Sequence, residues 1–416
     1  MIKEGINNLK AYNYVCKKGE MSSHIYILLK GSVQVLSESG ETISTFEMNN
    51  KSFNKDLLTK DQRLNSLNLN KMDNYTILGE IGCLLNAPRS VTLRSGPKGA
   101  VIYCLSCSNS ELAAAILDDT SFRMVLTHNV ARYVKKTNES LFNERKILGK
   151  ISDSIKKYQN AADSLLPEIE NLLNINNYSG PPYDDMRKIV MDYKDYNQLS
   201  PIELEEFRPV TLVGLLEDQP SLNNLSFSEK SNVYNQADFS TMVFEKGEII
   251  CAQNDMSDAI FFLIEGAVEV IVFDQILDVI DKPGVFIGEI SILLGYNKDT
   301  PLARTATLRA AQSTRLAVKK GSHFLKSIRH KPQVIDILFK TLTAKLKKSD
   351  SVLNDIFKKR RNLQALLNNF RGPKISLQRL CSLCEKSDEL ASEKTFIKLN
   401  ELIKSSNPVS PEPGEK

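Results

Sequence analysis

The sequence repeats itself, and a chain that repeats a unit of this size folds as copies of one domain. Residues 16–35 read CKKGEMSSHIYILLKGSVQV and residues 251–270 read CAQNDMSDAIFFLIEGAVEV, aligned without a gap at an offset of 235. Cys16 meets Cys251, Met21 meets Met256, Gly31 meets Gly266, and Val33 and Val35 meet Val268 and Val270. A second block follows in each copy, LGEIGCLLNAPRSVTLR at 78–94 and IGEISILLGYNKDTPLARTATLR at 287–309. A third, VKKTNESL at 134–141, returns as LKKSDSVL at 346–353, at an offset of 212. Between the first two blocks the first copy holds extra residues, Glu47 to Tyr75, rich in Asn, Lys, Asp and Ser. Such a stretch reads as a surface loop.

The first block reads as strands. Ile25, Ile27 and Leu29 alternate with Tyr26 and Leu28, Gly31 breaks the run, and Val33 and Val35 alternate with polar residues. The third block reads as helix. One heptad row is Val130, Thr137, Glu144, Ile151, Tyr158 and Leu165, the other Val134, Leu141, Leu148, Ile155 and Ala162. All but Thr137 and Glu144 are apolar, which predicts a long amphipathic helix or coiled-coil segment. Pro167 is expected to end it, and Gly149 is a candidate interruption. Gly180-Pro181-Pro182 and Pro201 make 174–204 a broken connector. A second helical stretch runs from about 340 to Phe370. Beyond Gly372-Pro373 the reading is a short helical tail, with a disordered Pro-Glu-Pro-Gly end.

The chain has 416 residues with 54 Lys plus Arg against 50 Asp plus Glu, a net charge of +4. So small an excess predicts no strong nucleic-acid attraction. No apolar run is long enough to span a membrane, and no charged-then-apolar leader opens the chain. The expected address is therefore cytoplasmic. Seven cysteines spread along the chain argue against a disulfide framework. Cys104/Cys107 and Cys381/Cys384 have C-x-x-C spacing but read as buried or incidental thiols, being far apart. Lys358-Lys359-Arg360-Arg361 reads as a solvated helical face. Neither a Gly-x-x-x-x-Gly-Lys loop, nor a Gly-x-Ser-x-Gly elbow, nor a kinase signature is present, so the chain reads as a non-enzyme. No metal site and no cofactor are expected.

The second block carries chemistry. A glycine lets backbone approach a ligand, and a helix starting there points free N–H groups at an anion. An arginine arriving at the same place gives phosphate a two-pronged, charge-assisted bond. A carboxylate beside them suits a sugar hydroxyl. A nucleotide presents both groups.

Here the sequence resembles the cyclic-nucleotide-binding domain family, over about 130 residues twice. The resemblance rests on Leu78-Gly79-Glu80-Ile81-Gly82-Cys83 with Pro88-Arg89-Ser90, and on Ile287-Gly288-Glu289-Ile290-Ser291-Ile292 with Ala303-Arg304-Thr305-Ala306. The upstream pattern is matched by Lys246-Gly247-Glu248 and Gly266. The resemblance implies an α+β fold: two β-roll (double-stranded β-helix, jelly-roll-like) domains with flanking helices. The expected division is a first domain at 1–125, a helical connector at 126–204, a second domain at 205–345, and C-terminal helices with a tail at 346–416. It also implies that Glu80 and Glu289 accept the ribose 2′-hydroxyl and that Arg89 and Arg304 pair with the cyclic phosphate. Amides near Gly82-Cys83 and Ser291-Ile292 would assist, with Gly79 and Gly288 opening each cassette. Ser90 resembles the serine of the catabolite activator type, and Thr305 resembles a threonine that suits guanine.

The implied function is an intracellular receptor for cyclic AMP or cyclic GMP. It would signal through helices 126–175 and 340–370 to an effector protein or a second copy. The competing readings are a scaffold with degenerate sites, a transcription regulator of the catabolite activator type, and a kinase regulatory subunit, whose tandem arrangement this one resembles. Three departures stand out. The first copy starts so near Met1 that its leading helix is short or missing. Val91 replaces the usual alanine. The second cassette spans 15 positions from Glu289 to Arg304 against 9 in the first.

Overall fold

The computed structural model describes residues 4–48, 76–84, 87–106, 120–199, 240–256, 258–295, 303–328, 331–369 and 372–405. Most of the extra loop of the first copy, Cys107, the long second cassette loop and the C-terminal tail lie outside the described residues. The chain divides into two compact units, one of 1–143 with 208–355 and one of 144–207 with 356–416.

The first unit holds two antiparallel β-rolls. In the first roll the strands are β1 (Gly5–Leu9), β2 (Tyr14–Cys16), β3 (His24–Leu36), β4 (Thr42–Met48) and β5 (Thr76–Leu78). A short helix α1 (Glu80–Leu84) and strand β6 (Thr92–Ser106) complete it. They make one six-stranded sheet in the order β1-β6-β3-β4, with β2 on β6 and β5 on β3. The long helix α2 (Thr120–Ile175) follows, then α3 (Tyr183–Leu199).

The second roll repeats the plan with shorter strands: β7 (Ser240–Phe244), β8 (Ile249–Cys251), β9 (Ala259–Glu265), β10 (Val268–Val272), β11 (Gln275–Ile280) and β12 (Phe286–Ile287). Helix α4 (Glu289–Leu294) is followed by β13 (Thr307–Ala310) and β14 (Thr314–Lys320). These form two four-stranded sheets, β11-β10-β13-β8 and β12-β9-β14-β7. Helices α5 (Gly321–Ile328) and α6 (Pro332–Asn368) close the roll, and α7 (Pro373–Cys384), α8 (Asp388–Ala391) and α9 (Lys394–Ser405) end the described chain.

Gly31 does not break its strand, as the sequence suggests. It sits inside the 13-residue β3 with φ 82°, while its counterpart Gly266, at φ 100°, separates β9 from β10. A side chain at Gly31 would strike the Gly99 carbonyl, and one at Gly266 would lie 2.6 Å from Ser313 O. Only glycine takes that left-handed turn with a second backbone so close. The bend folds one strand pair over the other and creates an inside. In the second roll that inside is Phe261, Leu263, Val268, Ile280, Ile287, Leu308 and Leu316. Each such side chain, fully buried, stabilises the roll by roughly 1.5–3 kcal/mol.

Two helical expectations need correction. Helix α2 continues past both Gly149 and Pro167 to Ile175. Pro167 is exposed, whereas Leu165, Leu166, Ile169 and Leu173 around it are buried in one apolar core. Packing on both sides of the proline outweighs its lost hydrogen bond. The connector is not broken throughout: Tyr183–Leu199 is helical, with Asp184 and Asp185 in the first turn and Met186, Ile189, Val190 and Tyr193 on one buried stripe.

The tail is a three-helix segment whose Leu377, Leu380, Leu390, Phe396 and Leu399 complete that core. Cys381 and Cys384 are buried within it as free thiols, and Cys104 is buried on β6. In the basic run, Arg360 reaches Glu144 at 2.6 Å and lies over the Phe357 ring.

Pro167→Ala restores an α2 hydrogen bond without disturbing a buried contact. It should stabilise the helical unit by at most about 3 kcal/mol. Slower amide exchange at 163–171 is the check; faster exchange there would show the proline to be favourable.

Candidate functional site

Each cassette begins with a left-handed glycine, Gly79 at φ 80° and Gly288 at φ 78°. The turn aims the next residue inward, so Glu80 and Glu289 are each 1% exposed at the start of α1 and α4. The arginine closes over the glycine. Arg89 Nη1 donates to Gly79 O at 2.6 Å and Nη2 donates to His24 O at 2.6 Å, with the guanidinium 5.1 Å from the Tyr26 ring. Arg304 repeats this, Nη1 to Gly288 O at 3.2 Å and Nη2 to Ala259 O, with Phe261 beneath. A Cβ on Gly79 would collide with Arg89 Nη1, and one on Gly288 would lie 2.7 Å from Arg304 Nη1. The glycine and the arginine therefore require each other. Among the described residues neither arginine forms a direct ion pair with its neighbouring glutamate.

In the first roll a pocket opens beside Glu80, with about 600 Å³ of space including its mouth. Gly79, Glu80 and Gly82 line it with Arg89 and Ser90, and Val35, Phe46 and Leu93 supply apolar wall. Helix α2 adds Tyr133 and Thr137, and α6, which follows the other roll, adds Leu346 and Asp350. Cys83 is half-buried outside this wall. Gly82 is needed for space, since a side chain there would meet Ser22 Oγ.

The carboxyl of Glu80 is held apart from water, and its Oε1 has no hydrogen-bond partner. Burial pushes its pKa up to about 8, opposed by its own backbone N–H, by Asn129 and by Arg89. Behind it, Asn129 Nδ2 donates to Ile77 O at 2.5 Å and Tyr133 donates its hydroxyl to the same carbonyl. Burial also raises Tyr133, and the Glu80 charge adds to this. Asp350 is pushed up to about 7 by burial, against the Thr137 hydroxyl and the Lys18 charge.

In the second roll Glu289 has a partner. Lys345 Nζ, on α6, lies 2.8 Å from its Oε1, and Lys348 lies 3.2 Å from Asp278 on β11. Ser291 and Ile292 are buried within α4 and Thr305 is half-buried. Burial lowers the Arg304 pKa, opposed by the neighbouring Cys251, Asp258 and Glu289.

The structure gathers Gly79, Glu80, Gly82, Arg89 and Ser90 at one pocket, and sets Arg304 against Gly288 beside the buried Glu289. The helical ones, Asn129, Tyr133, Lys345 and Asp350, were missed. One signal was available: Thr137 is a polar residue in an otherwise apolar heptad row, and it lines the pocket.

Residues 241–331 match the family model described as the cyclic nucleotide-binding domain. This segment, which holds most of the second roll, is a cyclic nucleotide-binding domain. No curated protein matches the chain. Among solved structures, the chain is similar to the regulatory subunit of a cAMP-independent protein kinase A from Trypanosoma brucei. That likeness has 14% identity, covers 81% of this chain and 77% of the other, and has a TM-score of 0.23. It is also similar to cAMP-bound PfPKA-R, at 14% identity, 85% and 80% coverage and TM-score 0.24. A third is the N-terminal domain of a transcriptional regulator from Streptomyces coelicolor, at 20% identity, 33% and 96% coverage and TM-score 0.25. The family match, not these likenesses, identifies the domain.

Two of the carboxyls raised by burial, Glu80 and Asp350, set a pH dependence. Unfolded, Glu80 loses its proton near 4.5; folded, it keeps it to about 8. The folded chain binds more protons across that window, so stability falls as pH rises through it. Asp350 acts likewise from 3.8 to about 7. Thermal unfolding between pH 5 and 8.5 should show a declining melting temperature, and Glu80→Gln should flatten the decline above pH 7. An unchanged slope in that variant would place the titrating group elsewhere.

Proposed function

We propose that the chain is a non-catalytic intracellular receptor for a cyclic purine nucleotide, cyclic AMP or cyclic GMP. The observation that carries the reading is the first pocket, where a buried carboxyl oxygen without a partner stands beside an arginine at the start of a helix. Glu80 Oε1 accepts a ribose hydroxyl. Arg89 is oriented by its two carbonyl bonds and offers its remaining N–H donors to the cyclic phosphate, with Ser90 alongside. Gly79 and Gly82 keep the backbone close enough, and amides near Cys83 assist. Val35, Phe46, Leu93 and Leu346 give the base an apolar slot. In the second roll the corresponding roles fall to Gly288, Glu289, Ser291, Ile292, Arg304 and Thr305.

The output runs through helices. The first pocket is walled by α2 and α6, so a ligand that fills it favours one arrangement of those helices over another. It shifts the balance only by its difference in affinity for the two. The rearranged faces of 126–175 and 340–370 are then offered to an effector protein or a second copy. Among the described residues no helix is long and apolar enough to cross a membrane.

Calorimetric titration of nucleotide-free protein with cyclic AMP and with cyclic GMP is the direct test. Saturable binding is expected. Glu80→Gln should weaken it up to roughly tenfold, because an amide replaces the carboxyl that accepts the ribose hydroxyl. Arg89→Ala should weaken it roughly thirty-fold to several thousand-fold, with circular dichroism confirming that the roll is intact. Absence of heat and of thermal shift with both nucleotides would leave the degenerate-site scaffold as the reading.

A further inference from the structure

We propose that the two sites are unequal: the first is open, and the second is closed by an internal cation, Lys345, standing where a ribose hydroxyl would stand. This rests on the cyclic-nucleotide reading of the cassettes and goes further by assigning the stoichiometry and the residue that sets it.

The third sequence block aligns the helices after the two rolls at an offset of 212, which sets Tyr133 opposite Lys345. Both stand on the helix following their own roll, and both approach the glutamate that opens their own cassette helix. They do different things there. Tyr133 donates its hydroxyl to the Ile77 carbonyl, leaving Glu80 Oε1 without a partner. Lys345 places its ammonium 2.8 Å from Glu289 Oε1, on a carboxylate side chain that is 1% exposed. One turn on, Lys348 lies 3.2 Å from Asp278 and fastens the same helix face to the second roll.

A buried ion pair is costly to open from one side, because the remaining charge is left in a poorly hydrated place. A ribose hydroxyl is neutral. It can hydrogen-bond to Glu289, but it cannot replace the charge of the ammonium it displaces. At Glu80 the same hydroxyl meets an acceptor oxygen that has no competitor. The family resemblance is therefore strongest in the roll whose carboxylate is already satisfied, and the usable pocket lies in the other.

Reciprocal exchange of the two helical residues tests this in the full chain, by titration with cyclic AMP and cyclic GMP. The wild type should bind one nucleotide per chain. Lys345→Tyr should bind two, and Lys345→Met, which keeps much of the stem, should do the same if the tyrosine fails to pack. Tyr133→Lys should bind none. Joining Tyr133→Lys to Lys345→Tyr should restore one, now weakened by Glu289→Gln and not by Glu80→Gln. Two nucleotides in the wild type, or one in both Lys345 variants, would overturn the proposal while leaving the receptor reading in place. No binding by the wild type or by the Lys345 variants would overturn the receptor reading. The pair itself is read without nucleotide, from the NMR signal of ¹³C-methylated Lys345. It should shift in Glu289→Gln, and an unmoved signal would refute the internal cation.

Discussion

The clamp of an arginine over a left-handed glycine is the interaction on which both rolls depend. Arg89 ties the Gly79 carbonyl to the His24 carbonyl, and Arg304 ties Gly288 to Ala259. Each clamp joins the end of a cassette loop, the turn that starts the cassette helix and the start of a central strand. Loops of different length can be inserted between these points without moving them. The same guanidinium is thereby placed next to a buried carboxyl, so one arrangement holds the roll together and prepares a site.

The surroundings of that carboxyl then separate the copies. In the first roll, burial keeps Glu80 protonated to about pH 8, and a pocket lies beside it. In the second, a lysine from α6 reaches Glu289. The two cassettes are similar in sequence, yet the helix after each roll brings a different side chain beside the glutamate, Tyr133 in the first and Lys345 in the second. Helix α6 takes part in both places, with Lys345 at the second carboxylate and Leu346 and Asp350 in the wall of the first pocket. Successive residues on a helix point about 100° apart, so neighbours in sequence serve different sites.

Much of this was legible beforehand for identifiable reasons. The repeat exposed two rolls, and Gly-Glu-Ile with a following arginine marked both cassettes, because close backbone approach and anion pairing restrict the residues allowed. Local rules failed where tertiary packing overrode them. Gly31 reads as a strand break but is a bend inside one strand, with the Gly99 carbonyl of the paired β6 where a side chain would stand. Pro167 reads as a helix end but is carried through by the buried Leu165, Leu166, Ile169 and Leu173. The connector conceals α3, whose stripe is only apolar enough to form against a partner surface.

The sequence by itself determined the repeated roll, the residues of each cassette and the long helices after them. These follow from short-range constraints: strand alternation, helical period and the glycine conformations. Only the tertiary structure decided what each glutamate faces. Tyr133 and Lys345 lie more than fifty residues from the glutamates they approach, and nothing local to either position records that one donates to a backbone carbonyl and the other to a carboxylate. Burial and charge compensation are properties of the assembled neighbourhood, and they distinguish Glu80, whose Oε1 has no partner, from Glu289, which Lys345 meets.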